Sequence, residues 1–226
     1  MPKGKFVVIE GSDGSGKSTQ FKQLLTYFES QGKEVVVYKF PQYDLPSSFF
    51  VREYLNGNYG SADELGAYTP SLFYALDRFH AAKDIREHLE SGRIILCDRY
   101  IGSNMAHQGQ KIEDTKEQTK YLKWLYDLEY RMLGIPKPDL NIVLLVPAET
   151  AYKLMSQRED VRNYTDKQKD IHEADINHLS RAVVMYRKLC TLFPKEFTPI
   201  ECTNADGTMR TIEDIHKEIR QIPILK

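Results

Sequence analysis

Gly11-Ser12-Asp13-Gly14-Ser15-Gly16-Lys17-Ser18-Thr19 follows the apolar run Phe6–Ile9 and opens a helix-patterned stretch at 17–31. The string satisfies G-x-x-x-x-G-K-[ST], in which glycines let the backbone wrap a phosphate with its N–H groups pointing inward. A helix beginning at Lys17 adds the positive end of its dipole to the same spot. Lys17 is expected to reach the β- and γ-phosphates of ATP, and the Ser18 hydroxyl to ligate Mg²⁺. A chance glycine-rich turn would need neither the strand before it nor the helix after it.

Outward from this loop, the apolar runs Phe6–Ile9, Val35–Tyr38, Ile94–Cys97 and Ile142–Val146 show no period-2 alternation, and Thr198–Cys202 is a weaker fifth. Such runs predict parallel strands buried on both faces and joined by helical crossovers. Helices are expected at 17–31, 62–91, 116–133, 148–157, 168–193 and 209–221. The expected fold is therefore α/β: a P-loop NTPase fold with a doubly wound, five-stranded parallel sheet, which binds ligands beyond the carboxyl ends of its strands. No linker or repeat divides the chain, so residues 1–226 read as a single domain.

Composition narrows the function. With 41% hydrophobic and 28% charged residues the chain is that of an ordinary globular protein. Its 31 basic and 32 acidic residues give a net charge of −1, which offers no attraction to a nucleic-acid polymer. No run of 18 apolar residues or leader pattern appears, so no membrane partner is expected and the cytoplasm is the expected location. Cys97, Cys190 and Cys202 lack metal-type spacing and read as reduced thiols.

The strand Ile94–Cys97 ends in Asp98-Arg99-Tyr100. A carboxylate at that tip is where a P-loop fold makes its second Mg²⁺ contact, so Asp98 is the candidate, and Arg99 would project a bidentate fork into the same cleft. The segment Ser156–Lys169 carries Arg158, Arg162, Lys167 and Lys169 among acidic residues, with Val161 its one aliphatic residue. It reads as a lid, a solvated helix face being the alternative.

Taken in order, Gly11–Thr19, Phe40-Pro41-Gln42-Tyr43, Leu72–Arg78, Asp98-Arg99-Tyr100 with Ser103 and Asn104, and Pro138-Asp139 resemble the thymidylate kinase family across nearly the whole chain. The resemblance implies transfer of the γ-phosphate of ATP to thymidine monophosphate (dTMP), Mg²⁺ as cofactor and a homodimer. It places Asp13 at the acidic position that holds the sugar 3′-hydroxyl, and Arg99 and Arg52 near the acceptor phosphate. Arg78 and Asn104 would bond the thymine edge, with Tyr74 or its neighbour Phe73 stacking on the base. Phe40, Tyr43 and Ser103 belong to the same acceptor set, and His107 stands where some relatives carry an aromatic near the sugar.

Some family members carry a basic residue inside the P-loop, where this chain has Gly14. The catalytic arginine is then expected from the lid, as Arg158 or Arg162. Ala205-Asp206-Gly207 resembles the loop that packs on adenine, though ordinary turn chemistry also accounts for it. The competing readings are a kinase for another nucleoside or monophosphate, and a P-loop ATPase switch.

Overall fold

The computed structural model describes residues 3–156 and 176–225. Its frame is a sheet of β1 (Phe6–Gly11), β2 (Val35–Lys39), β3 (Ile94–Asp98), β4 (Leu140–Leu145) and β5 (Phe197–Glu201), all parallel, in the order β2-β3-β1-β4-β5. All five expected strands form. Ile9 of β1 pairs with Asp98 of β3 on one side and Ile142 of β4 on the other, so the carboxyl ends of the three central strands finish together.

Side chains alternate across the sheet and feed two cores. Phe6, Val8, Ile95, Cys97 and Val143 pack under α3 (Tyr68–Glu90), α4 (Ile101–Gly109), α5 (Thr115–Tyr126) and α7 (Ile176–Leu192). Val7, Ile9, Leu96, Ile142 and Leu144 pack under α1 (Lys17–Ser30) and α8 (Ile212–Arg220), with Ala151 of α6 (Ala148–Ser156). Burial on both faces holds for β1, β3 and β4. It fails for β2, where Val37 is 51% exposed, and for β5, because these strands are the edges and each has a neighbour on one side only.

Two short helices were not expected, α2 (Phe49–Leu55) and α4. The helix expected from residue 62 begins at Tyr68; before it, Ser61 and Glu64 cap each other in a turn that does not propagate. A π-helical turn, Asp127–Met132, continues α5. All three cysteines are unpaired and buried, and among the described residues no helix is long and apolar enough to cross a membrane.

Candidate active site

The phosphate loop runs from the end of β1 into α1, with Gly16 as the helix N-cap. Gly14 takes φ 77, and a β-carbon there would fall 2.2 Å from the Ala151 carbonyl oxygen of α6, so only glycine lets the two backbones meet. Lys17 is 7% exposed; its ammonium donates to the Ser12 carbonyl at 2.7 Å and stands 4.0 Å from the Asp13 carboxylate. Burial, then the Arg99 cation, lower its pKa to about 8 against the pull of Asp13, Asp98 and Glu10. The hydroxyls of Ser12 and Ser15 are buried without a partner among the described residues, and Ser18 is exposed on the first turn of α1.

Asp98 ends β3, and its Oδ1 is buried with no hydrogen-bond partner among the described residues. Among the described residues no three His, Cys, Asp or Glu gather to hold a metal. A single orphaned carboxylate oxygen fits an ion that draws most of its ligands from water and phosphate, as Mg²⁺ does.

The next residue, Arg99, adopts φ 66, a left-handed conformation that a non-glycine residue takes at some cost. Its Nη2 donates to the carboxylate of Asp13, and its Nη1 lies 3.3 Å from the Gly11 carbonyl, 3.2 Å from Ser103 Oγ and 3.4 Å from His107 Nε2. Burial alone would raise the Asp13 pKa, but Arg99 and Lys17 override it and hold the carboxyl far below the usual range. Asp13, Lys17, Arg99, Ser103 and His107 thus form one connected polar group.

Glu10, which sequence reasoning passed over, lies beneath that group. Fully buried, it accepts from the backbone N–H groups of Tyr100 and Ser103 at 2.8 and 3.0 Å, from Ser103 Oγ at 2.6 Å and from Tyr186 of α7 at 3.2 Å. Burial raises its pKa despite these bonds. The signal was present: a carboxylate inside the apolar run that enters a phosphate loop needs buried donors.

The base-reading candidates form a second group, between α3 and α4. Arg78 is 2% exposed, and its Nε and Nη2 donate to the buried carboxylate of Glu129 at 2.6 and 2.5 Å. Burial would lower the Arg78 pKa, but Glu129 outweighs it and raises it. Asn104 Nδ2 donates to the Ser71 carbonyl at 3.1 Å and to Glu129 at 3.2 Å, while its Oδ1 has no partner among the described residues. One turn on, Gln108 is fully buried and neither atom of its amide has a partner among the described residues.

Glu129 and Gln108 were also missed. Leu122, Leu125 and Glu129 follow the i, i+3, i+7 spacing of one helix face, so a buried acid was readable there. Gln108 lies four residues after Asn104, on the same face of α4.

The remaining candidates spread around this site. Tyr74 is half-buried, four residues before Arg78 on the same side of α3, and meets Tyr54 edge-on at 6.4 Å. Phe73 stacks on Phe50 of α2 at 5.5 Å instead. Phe40 is buried in the core, stacked on Tyr38 and edge-on to Tyr100. Arg52 Nη1 donates to the carbonyls of Tyr43 and Leu45 and to Ser48 Oγ, at 2.7, 3.1 and 2.6 Å, and so braces the loop that carries Tyr43. Asp206 is exposed and accepts from the N–H and hydroxyl of Thr208, closing its own turn. Arg158 and Arg162 lie outside the described residues.

Comparison with known proteins identifies the family. The sequence model of the family described as thymidylate kinase matches residues 9–202. A "Probable thymidylate kinase" of Thermococcus gammatolerans is 34% identical over 221 residues, covering 96% of this chain and 94% of that protein. The thymidylate kinase of Mycobacterium tuberculosis is 30% identical over 186 residues, covering 81% and 84%. A solved structure of thymidylate kinase from Candida albicans shares the fold, with a TM-score of 0.72 at 23% identity over 97% of this chain and 91% of that one. The chain belongs to the thymidylate kinase family.

Proposed function

We propose that this chain transfers the γ-phosphate of ATP to dTMP, giving dTDP and ADP on the route to dTTP, and that it does so in the cytoplasm. The observation that carries the reading is the Arg99–Asp13 pair, which joins the tip of β3 to the phosphate loop beside Lys17. A carboxylate inside a phosphate loop repels the donor's phosphates unless a cation neutralises it and it is turned toward an acceptor. Arg99 supplies that cation.

An acceptor phosphomonoester has a second pKa of about 6, so at pH 7 it is mostly ionised and needs no general base. The protein's task is to bring two anions together and offset their charge. Lys17 and the inward N–H groups of the loop hold the donor. Arg99, locked by Asp13, Ser103 and the Gly11 carbonyl, presents its fork to the acceptor phosphate, with Arg52 bracing the wall that carries Tyr43. Ser18 and Asp98 would hold Mg²⁺, which supplies charge neutralisation on the β- and γ-phosphates. Arg158 and Arg162 would complete the cation set from the lid.

For the base, Tyr74 is the stacking ring, because it shares a helix face with Arg78 whereas Phe73 is committed to Phe50. Glu129 fixes Arg78 by Nε and Nη2, which leaves Nη1 for thymine, and the unpartnered amide atoms of Asn104 and Gln108 supply matching acceptors and a donor. Asp13 would take the sugar hydroxyl, next to His107. A second copy of the chain would cover the face of α3 bearing Tyr68, Leu72, Leu76 and Phe79, each 40–49% exposed, in a homodimer.

A coupled assay over a panel of nucleosides and nucleoside monophosphates tests the reading. Preferred conversion of dTMP to the diphosphate is expected. Preference for a purine monophosphate or a free nucleoside would refute the acceptor, and ATP hydrolysis that needs no acceptor would refute the kinase reading itself.

A further inference from the structure

Helix α7 begins at Ile176, and its third residue, His178, is 7% exposed. His178 Nε2 lies 3.2 Å from Nδ1 of His107 on α4, the two rings nearly parallel with centroids 5.5 Å apart. On its far side His107 turns Nε2 to the Arg99 guanidinium at 3.4 Å. Gln110, 7% exposed, packs against the pair: its Nε2, a donor, is 2.8 Å from both His178 ring nitrogens, of which only the unprotonated one can accept from it, and 3.3 Å from the His107 carbonyl, and its Oε1 accepts from Arg181 Nε at 3.3 Å.

The direction of these bonds follows from the groups involved. A guanidinium carries only donors, so the His107 nitrogen facing Arg99 must accept and holds no proton. An imidazole keeps at least one proton, which therefore sits on His107 Nδ1 and is donated to His178 Nε2. His178 must then be neutral at that nitrogen. Its alternative, donating to His107, would leave His107 with no proton at all. The tautomer of one ring is thus set by the bond the other makes.

We propose that His178 is a positioning residue: by accepting from Nδ1 it holds His107 as the tautomer that offers Nε2 to Arg99, and so keeps Arg99 aimed at the acceptor. Arg99 is then secured by Asp13 on Nη2, and by Ser103, the Gly11 carbonyl and His107 on Nη1. The α4–α7 contact that carries the relay is close, because Gly109 has no side chain where Met185 Cε would lie 3.0 Å from a β-carbon. Tyr186, two turns further along α7, bonds Ser103 Oγ at 2.9 Å, so one helix braces both residues that touch Arg99 Nη1 from α4. The role assigned to Arg99 rests on the proposed phosphoryl acceptor, whereas the tautomer does not.

The test pairs a spectroscopic and a kinetic readout. Imidazole ¹⁵N spectra of the free protein should show His107 protonated at Nδ1 and bare at Nε2. His178→Phe should lose this bias, while His178→Gln, whose side-chain oxygen replaces the accepting nitrogen, should keep it. In kinetics, His178→Phe should raise the acceptor KM about three- to tenfold, the loss expected of one neutral hydrogen bond, with the ATP KM unchanged. His178→Gln should restore it. Protonation of wild-type His107 at Nε2, or a His178→Phe variant that keeps the wild-type tautomer, would overturn the proposal with no nucleotide present. An unchanged tautomer pattern with a different preferred acceptor would instead count against the functional reading and leave the relay standing. Failure of His178→Gln to rescue a His178→Phe defect would show that the ring packs and does not position.

Discussion

At Gly14 a β-carbon would lie 2.2 Å from the carbonyl oxygen of Ala151, so the phosphate loop and α6 touch backbone to backbone. The contact explains why no side chain, and hence no arginine, stands in the middle of this loop. Gly14→Ala must both strain a φ of 77 and displace α6. It is expected to destabilise the protein by about 2 kcal/mol or more, since unfavourable φ alone costs roughly 1–3 kcal/mol. An unchanged urea midpoint for this variant would show that α6 yields freely.

The same contact puts α6, which leads into residues 156–169, directly against the phosphates' cradle. With position 14 closed to arginine, Arg158 and Arg162 are expected to act on the chemical step. Replacing each with alanine should lower kcat with little change in acceptor KM. Wild-type kcat in both variants would leave these charges as a solvated face.

Lys17 tests the loop itself. Lys17→Ala should reduce turnover by a factor of about 10² or more, because one preorganised charge contact is worth at least that. Its pKa of about 8 in the free protein adds a pH signature, because donor phosphates favour the charged ammonium. ATP binding above pH 8 should therefore take up a proton and weaken as pH rises. Calorimetry in two buffers of different ionisation enthalpy at pH 8.5 reads this directly, and no uptake in wild type would place the ammonium elsewhere.

How far the sequence could be read depended on which physical signal each element carries. The central strands announced themselves because they are buried on both faces, and the phosphate loop because its glycines are dictated by backbone geometry. Helix α4 escaped notice because residues on every side of it are buried, including Ile101, Asn104, Met105, Ala106 and Gln108, which erases the amphipathic stripe. Glu10 and Glu129 look like ordinary charges until the chain is folded, when each becomes the buried acceptor that orients an arginine of the candidate site or its neighbours. Long-range pairing of that kind, 51 residues apart for Arg78 and Glu129, leaves no local pattern.

Lys111 offers a stability test independent of the site. Its ammonium donates to Tyr54 Oη and to the Ala62 and Gly66 carbonyls, each at 2.9 Å, and burial lowers its pKa from 10.5 to about 8, against a weaker pull from Asp63. The unfolded chain then binds more protons than the folded one between these two values, so this group makes stability rise from pH 8 to 10.5. The burial penalty is fully present below pH 8. Lys111→Met should flatten that rise in denaturation midpoints measured across the window. A wild-type profile that falls over the same range, unaltered by the variant, would contradict the assignment.

The base site yields the prediction that most depends on the folded structure. Arg78→Ala looks from sequence like the natural test of thymine recognition, but it would strand Glu129, 0% exposed, as an unpaired buried charge. Removing one partner of such a pair costs about 3–5 kcal/mol, so lost activity would be confounded with lost fold. Gln108 is the cleaner probe, because both of its amide atoms are buried without a partner among the described residues, and a buried amide that lacks hydrogen bonds carries a desolvation cost. Gln108→Leu, similar in volume, is expected to hold or raise the thermal midpoint. It should lower kcat/KM for dTMP by about tenfold or more, since a base group left unpaired costs about 1–3 kcal/mol, and leave the ATP KM unchanged. Deoxyuridine monophosphate, which lacks one methyl, should lose only ~1–3 kcal/mol of discrimination in either protein. The purine monophosphates, whose donors and acceptors do not match Arg78 and Asn104, should fall much further behind. A Gln108→Leu variant that is less stable yet uses dTMP at the wild-type rate would make this residue part of the core and move the base site away from α4.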